Sequence, residues 1–237
     1  MDFQTLVDTD AVGIKIEHDE AVMMLGSCFA EDVGNLLKRS MLALCINPFG
    51  TLYNPRSIAQ SLRRLMADLP FSADKLVAYG NLWHSMSHHS RFSSVDKDKA
   101  LQKINAAYAE GVACLRSARH LIVTFGTAYT FSTADGETVA NCHKMPASMF
   151  NRRMLSANEI ANEWIPLIDD IRKFNPHIDI TFTVSPVRHL ADGAHGNQLS
   201  KSTLLLASDS IMAQRPGVCH YFPSYEIMLD QLRDYRF

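Results

Sequence analysis

Continuous apolar runs alternate along the chain with stretches in which apolar residues return every three or four positions. Runs of the first kind are Ala21-Val22-Met23-Met24-Leu25 and Met41-Leu42-Ala43-Leu44-Cys45-Ile46, which predict buried strands; His120 to Phe125, Ile178 to Val184 and the short Val218 to Phe222 predict three more strands. Between them, Phe29, Val33, Leu36 and Leu37 mark one helical face, Ile58, Leu62, Leu65 and Met66 a second, and Leu101, Ile104, Tyr108, Val112 and Leu115 a third. Ile160, Trp164, Leu167, Ile168 and Ile171 mark a fourth, and Gln198 to Gln214 reads as a further helix. Pro55 stands where a first helical turn tolerates it, and Ser156-Ala157-Asn158-Glu159 has capping-box spacing, with Leu155 and Ile160 as the staple and Pro166 as a kink point. The alternation predicts an α/β fold: a three-layer α/β/α arrangement around a central, mostly parallel five-stranded sheet. Residues 70 to 95 break the rhythm and read as an insertion over the strand ends, while Tyr129-Thr130-Phe131 and Thr138-Val139-Ala140, separated by Asp135-Gly136, predict a small hairpin.

In such a sheet the ligand crevice lies beyond the carboxyl ends of the strands. Ser27, the loop Asn47 to Gly50, Gly126-Thr127 and Ser185 to His189 all follow predicted strands, so four polar loops are expected on one edge. Ser27 occupies a strand-to-helix turn, beside the free N–H groups of a helix start, where negative charge is favoured. That is a place for an acyl-transfer nucleophile; it is equally a place for a serine that caps a helix and packs a turn. Gly26 lets the backbone turn there.

At 237 residues, the chain is expected to form one domain spanning 1–237. Its formal net charge of -2 leaves no electrostatic footprint for nucleic acid, and Lys38-Arg39, Arg63-Arg64 and Arg152-Arg153 are too short to form basic patches. The five cysteines include no Cys-x-x-Cys pair and read as buried thiols rather than a disulfide framework or zinc ribbon. No basic leader precedes an apolar segment and no run is long enough to span a bilayer, so neither membrane nor export is indicated and the expected location is cytoplasmic. No phosphate-binding glycine motif appears, and no cofactor is expected.

Gly26-Ser27-Cys28-Phe29-Ala30 resembles the signature of the GSCFA family, itself similar to the SGNH (GDSL-like) esterases. Ile46 to Pro55, His88 to Phe92, Thr124 to Ala128, Asn141 to Lys144, Ser185 to His189 and Asn197 to Lys201 fit the same family. The resemblance implies an SGNH/flavodoxin-like sheet and Ser27 as nucleophile. It implies oxyanion donors from the Ser27 N–H, from Gly50 after the second strand, and from an asparagine two places after a third-strand glycine. Here that loop reads Gly126-Thr127-Ala128, so Thr127 or Asn141 would stand in. The family also implies a general base in an Asp-x-x-His shortly after a stretch like Tyr235-Arg236-Phe237, so the chain is expected either to lack its C-terminal end or to use another histidine. His143 and His189 are the candidates for that substitute.

Asn47, His88, His89 and Arg188 are candidates for substrate contact. His84 and His88 have the i, i+4 spacing of a helical metal pair, but no Glu accompanies them as in a metalloprotease motif, and no metal is assigned. Cys28 is a rival nucleophile by chemistry, pointing away from Ser27 by its place in the chain. Two functions follow: an SGNH-like serine ester hydrolase or acyl-transfer enzyme acting on a small-molecule or carbohydrate ester, or a catalytically silent carbohydrate- or acyl-binding module.

Overall fold

The computed structural model describes residues 5–9 and 13–233. Tyr235, Arg236 and Phe237, where the family resemblance led toward the Asp-x-x-His, lie outside the described residues. Strands β1 (Ala21–Gly26), β2 (Ala43–Ile46), β5 (His120–Phe125), β9 (Asp179–Val184) and β10 (Cys219–Tyr221) form one five-stranded sheet in the order β10-β9-β5-β1-β2, every pairing parallel. Numbered among themselves these strands run 2-1-3-4-5, the flavodoxin-like order. The predicted α/β/α architecture is the observed one.

Strand alternation gives the sheet two unlike faces. Met23 and Leu25 of β1, Leu121, Val123 and Phe125 of β5, and Ile180, Phe182 and Val184 of β9 point into the main core. Four helices cover that face: α2 (Pro55–Ala67), α3 (Lys97–Ser117), α4 (Ala157–Phe174) and α5 (Gly193–Gln214). The aromatic centre is Phe125, Trp164 and Phe182, with ring centroids 5.2 to 5.5 Å apart. On the opposite face α1 (Cys28–Arg39) lies over Met24 and Ile46, with Gly34 letting the backbones approach. Beyond α1, an apolar trough is lined by Phe29, Val33, Ile122, Thr124, Thr181 and Thr183. Leu36, expected on the buried face of α1, is exposed, because the helix rests on the small residues Ala30 and Gly34.

The capping box at Ser156 and Glu159 forms, and α4 continues unbroken past Pro166. Helix α5 begins earlier than its apolar pattern announces, at Gly193. The insertion holds a hairpin of β3 (Leu76–Tyr79) and β4 (Leu82–Ser85), whose Leu76 packs with Phe92, Ala100 and Ile104. It is pinned to the strand ends by Arg91, which donates to Glu31 of α1 at 2.9 Å and to the Asn47 carbonyl at 2.6 Å. The predicted hairpin appears as β6 (Tyr129–Ser132) and β7 (Thr138–Val139), joined by β8 (Asn151–Met154) on the other side of β6. No helix among the described residues is long and apolar enough to cross a membrane.

Candidate active site

The strand order reverses between β1 and β5, and Ser27 directly follows β1 at that switch point. A crevice at the carboxyl edge is expected there, because neighbouring connections leave toward opposite sides. Gly26 makes the turn at φ +142°, and a side chain on it would lie 2.2 Å from the Thr124 carbonyl oxygen. The Asn47 side chain braces the same peptide: its Oδ1 accepts the Gly26 N–H at 2.8 Å, and its own backbone takes φ +48° to do so. The Asn47 Nδ2 is buried and has no partner among the described residues.

Ser27 sits at the N-cap of α1 in extended conformation, yet its hydroxyl makes no capping bond. It is only 1% exposed, and among the described residues Oγ has no hydrogen-bond partner. A buried hydroxyl without a partner loses on the order of 1–3 kcal/mol of hydrogen bonding, and a capping turn was available to satisfy it. The Ser27 N–H donates to the Thr124 carbonyl at 3.3 Å, a long bond. The Gly50 N–H donates to the Asn47 carbonyl at 2.7 Å, closing a tight turn at φ +76°. Both N–H groups expected at an oxyanion therefore point to carbonyls in this structure.

Gly126 brings β5 against this turn: a Cβ there would stand 3.3 Å from the Ser27 Cβ and 3.4 Å from the Tyr53 ring. Its N–H and that of Thr127 both donate to the Tyr53 carbonyl, at 2.8 and 2.9 Å. The Thr127 hydroxyl faces the Ser200 hydroxyl of α5 at 3.1 Å and accepts the Tyr129 N–H at 3.2 Å. His189 stands edge-on to Tyr53, with ring centroids 5.8 Å apart, and its N–H donates to Asn197 of α5 at 2.9 Å. Burial lowers its pKa, the Lys201 charge adds to the effect, and Asp192 opposes it. His189 is therefore neutral at pH 7, the form that accepts a proton. Arg188 beside it is exposed at the surface.

His88 and His143 are bonded to Ser85 of β4, with His84 against the His143 ring. His143, at φ +49°, presents Nε2 to the Ser85 carbonyl at 2.8 Å, which requires that nitrogen to carry the proton. Its N–H donates to Asn141 Oδ1 at 2.8 Å, so Asn141 serves its own loop. His88 is 1% exposed, bonds the Ser85 hydroxyl through Nδ1 at 2.7 Å and stacks on Phe49 at 4.8 Å. Burial pushes its pKa down to about 3, so it stays neutral. His84 bonds Ser93 and lies on β4, not on a helix. His89 closes over Gly50, its Cβ 2.3 Å from where a side chain on that glycine would begin. Among the described residues no group of three or more His, Cys, Asp or Glu is placed to hold a metal ion.

One residue at the site stands in a family-like stretch of the sequence, Asn197 to Lys201, without a role that its type announces. Lys201 is completely buried, and its Nζ donates to the Gly126 and Ser185 carbonyls, each at 2.6 Å. Burial lowers its pKa to about 7, with the neighbouring Cys28 thiol pulling the other way. Its signal was positional: Lys201 shares the buried stripe of α5 with Leu204, Ser208 and Ile211, where a charge is out of keeping with its neighbours.

No curated protein matches the sequence. Among solved structures, an acetyl xylan esterase from the rumen bacterium Butyrivibrio proteoclasticus aligns at 11% identity and a TM-score of 0.35, covering 88% of this chain. The chain spans 56% of that enzyme's length. The GSCFA family model matches residues 21–237, which include the Ser27 turn, the loops after β2, β5 and β9, and helix α5, and the chain belongs to the GSCFA family.

Proposed function

We propose that this protein is an SGNH-like serine ester hydrolase or acyl-transfer enzyme in which Ser27 attacks the acyl carbonyl of a small-molecule or carbohydrate ester. The observation that carries this reading is the Ser27 hydroxyl: buried at the switch point, at a helix start, and without a hydrogen-bond partner among the described residues. A nucleophile has to give its hydrogen bond to a base only when the reacting complex forms, and apo geometry of this kind is often loose. His189 is the base we assign within this chain, since it shares Tyr53 and α5 with the Ser27 crevice, whereas His143 is tied to Ser85. The oxyanion falls to the Ser27 N–H, released from its long bond to Thr124, and to the unpartnered Asn47 Nδ2. Gly50 and Thr127 shape the walls. Arg188 and His89 lie further along the same edge as substrate contacts.

The alternative, a catalytically silent carbohydrate- or acyl-binding module, is favoured by a different observation: the N–H groups of Ser27 and Gly50 are already engaged. Hydrolysis of 4-nitrophenyl acetate separates the two. The enzyme reading expects turnover that falls by about a thousandfold or more in Ser27→Ala and about a hundredfold in His189→Gln. Turnover equal in the wild-type chain and Ser27→Ala would leave the binding module.

A further inference from the structure

Lys201 is a costly residue to keep. An ammonium removed from water is disfavoured by several kcal/mol unless it is well paired, and here both partners are neutral backbone carbonyls rather than carboxylates. If tying two loops together were the whole task, an uncharged donor would serve. The loops it ties are informative: Gly126 follows β5 and touches the Ser27 Cβ position, and Ser185 follows β9 and leads to His189. An ammonium has three N–H donors, and two are used. The titratable groups that face it are the Cys28 thiol from α1 and His189 from the loop before α5, with Asp192 and Arg152 beyond that histidine. Lys201, with its pKa brought down to about 7 by burial, is charged in part of the population at neutral pH, and when protonated it places a cation at the Gly126 carbonyl, on the residue that packs against the Ser27 turn.

We propose that Lys201 is the positioning residue of this site: its two carbonyl bonds hold the loops after β5 and β9 against the Ser27 turn, and its charge favours negative charge at position 27. This rests on reading Ser27 as the nucleophile, but it makes a claim about the field at that position which does not require turnover. In its protonated form Lys201 has only carbonyl partners among the described residues, and a buried cation so placed acts strongly on a developing anion because little water intervenes.

The test replaces the hydroxyl with a group whose ionisation can be read directly. In Ser27→Cys, thiolate formation is followed by absorbance at 240 nm against Ser27→Ala, which retains every other cysteine. The expected result is a thiol titrating well below its usual range, with an acid dissociation constant at least about tenfold larger than in the double variant carrying Lys201→Met. The double variant with Lys201→Arg, which keeps the charge, is expected to retain most of the shift. Equal midpoints with Lys201 and with Met overturn the proposal. Should Lys201→Met fail to fold, the lysine itself is titrated by carbon-13 NMR in Ser27→Cys and Ser27→Ala. The thiolate must then raise the Lys201 midpoint by the same factor, because coupling is reciprocal. Identical midpoints in those two chains overturn it. A shifted thiol in a protein whose Ser27 never acylates would remove the hydrolase reading and keep the charge.

Discussion

Two polar clusters lie along the carboxyl edge of the sheet, and they reverse the chemistry their residue types suggest. Around Ser85, three histidines are gathered, the residue type most associated with proton transfer, yet each is held as a structural piece. His143 donates to a carbonyl, His88 is stacked on Phe49 and His84 is bonded to Ser93. Around Ser27 stand a serine without a cap, an asparagine with an idle amide, and a lysine without a carboxylate. The first cluster also holds buried ring nitrogens without a partner among the described residues, His88 Nε2 and His143 Nδ1, but both rings are fixed through Ser85 of β4, His88 is walled by Phe49, Phe71 and Phe92, and the cluster does not stand at the switch point of the sheet. The second retains unmet bonding capacity at the position where the fold leaves a crevice, so it is the one disposed to act. Residue type nominates a site, and unmet bonding at a switch point selects it.

The largest effect that would sharpen this contrast is on stability against pH. His88 is neutral in the fold, with a pKa of about 3, and the unfolded chain binds its proton near the ordinary histidine value of 6.5. Between those values the unfolded state holds more protons, so stability is fully present above pH 6.5 and is lost as pH falls. The loss from this group is on the order of 4 kcal/mol by pH 3. Urea midpoints measured from pH 7 to pH 4 are expected to fall, and to fall less in His88→Phe; parallel curves would show that the cluster is not a buried neutral one.

Next comes the turn itself. Gly26→Ala would put a Cβ 2.2 Å from a backbone carbonyl at φ +142°, which the strand cannot relieve without moving β5. A destabilisation of roughly 3 kcal/mol or more is expected in chemical denaturation. A near-neutral result would mean that the turn around Ser27 is not held as described.

The two histidine candidates give a paired test. His189→Gln is expected to slow Ser27 acylation about a hundredfold with little change in melting temperature, whereas His143→Gln is expected to lower stability by about 1–2 kcal/mol and leave acylation alone. The opposite assignment of effects would exchange the roles of the two clusters. The smallest change expected is at Gly126→Ala, where the new methyl would press 3.0 Å from the Tyr53 carbonyl and 3.3 Å from Ser27. Crowding there should slow acylation by about tenfold while the protein still folds. An unchanged rate would place the reacting group away from β5.

Much of the scaffold was legible because its physics is local. Strand β1 is buried on both faces and reads as an unbroken apolar run, β9 alternates the core residues Ile180, Phe182 and Val184 with threonines, and the Ser156–Glu159 capping box announces α4. Strand β8 was not legible: Asn151-Arg152-Arg153-Met154 has no apolar alternation, and it is held through Arg152 stacked 3.8 Å over Tyr129, a contact between residues 23 apart in sequence. The start of α5 was missed for a related reason, since Gly193 to Gly196 carry no apolar period. At the site, the Ser27 turn and the loops that converge on it follow from strand ends and could be read. Whether Asn141 and His143 belong with Ser27 could not, because it depends on a loop that turns back to Ser85. Lys201 was visible as the end of the family-like stretch Asn197 to Lys201 and as a charge on a buried stripe, but its partners are carbonyls that no residue type reveals.

The measurement that bears most directly on the account is phosphonylation by a fluorophosphonate probe, read by intact mass and peptide mapping, on the wild-type chain and on Ser27→Ala. A single adduct on Ser27, absent from Ser27→Ala, is the predicted result. A folded wild-type chain that takes no adduct, or carries one on another residue, would contradict it.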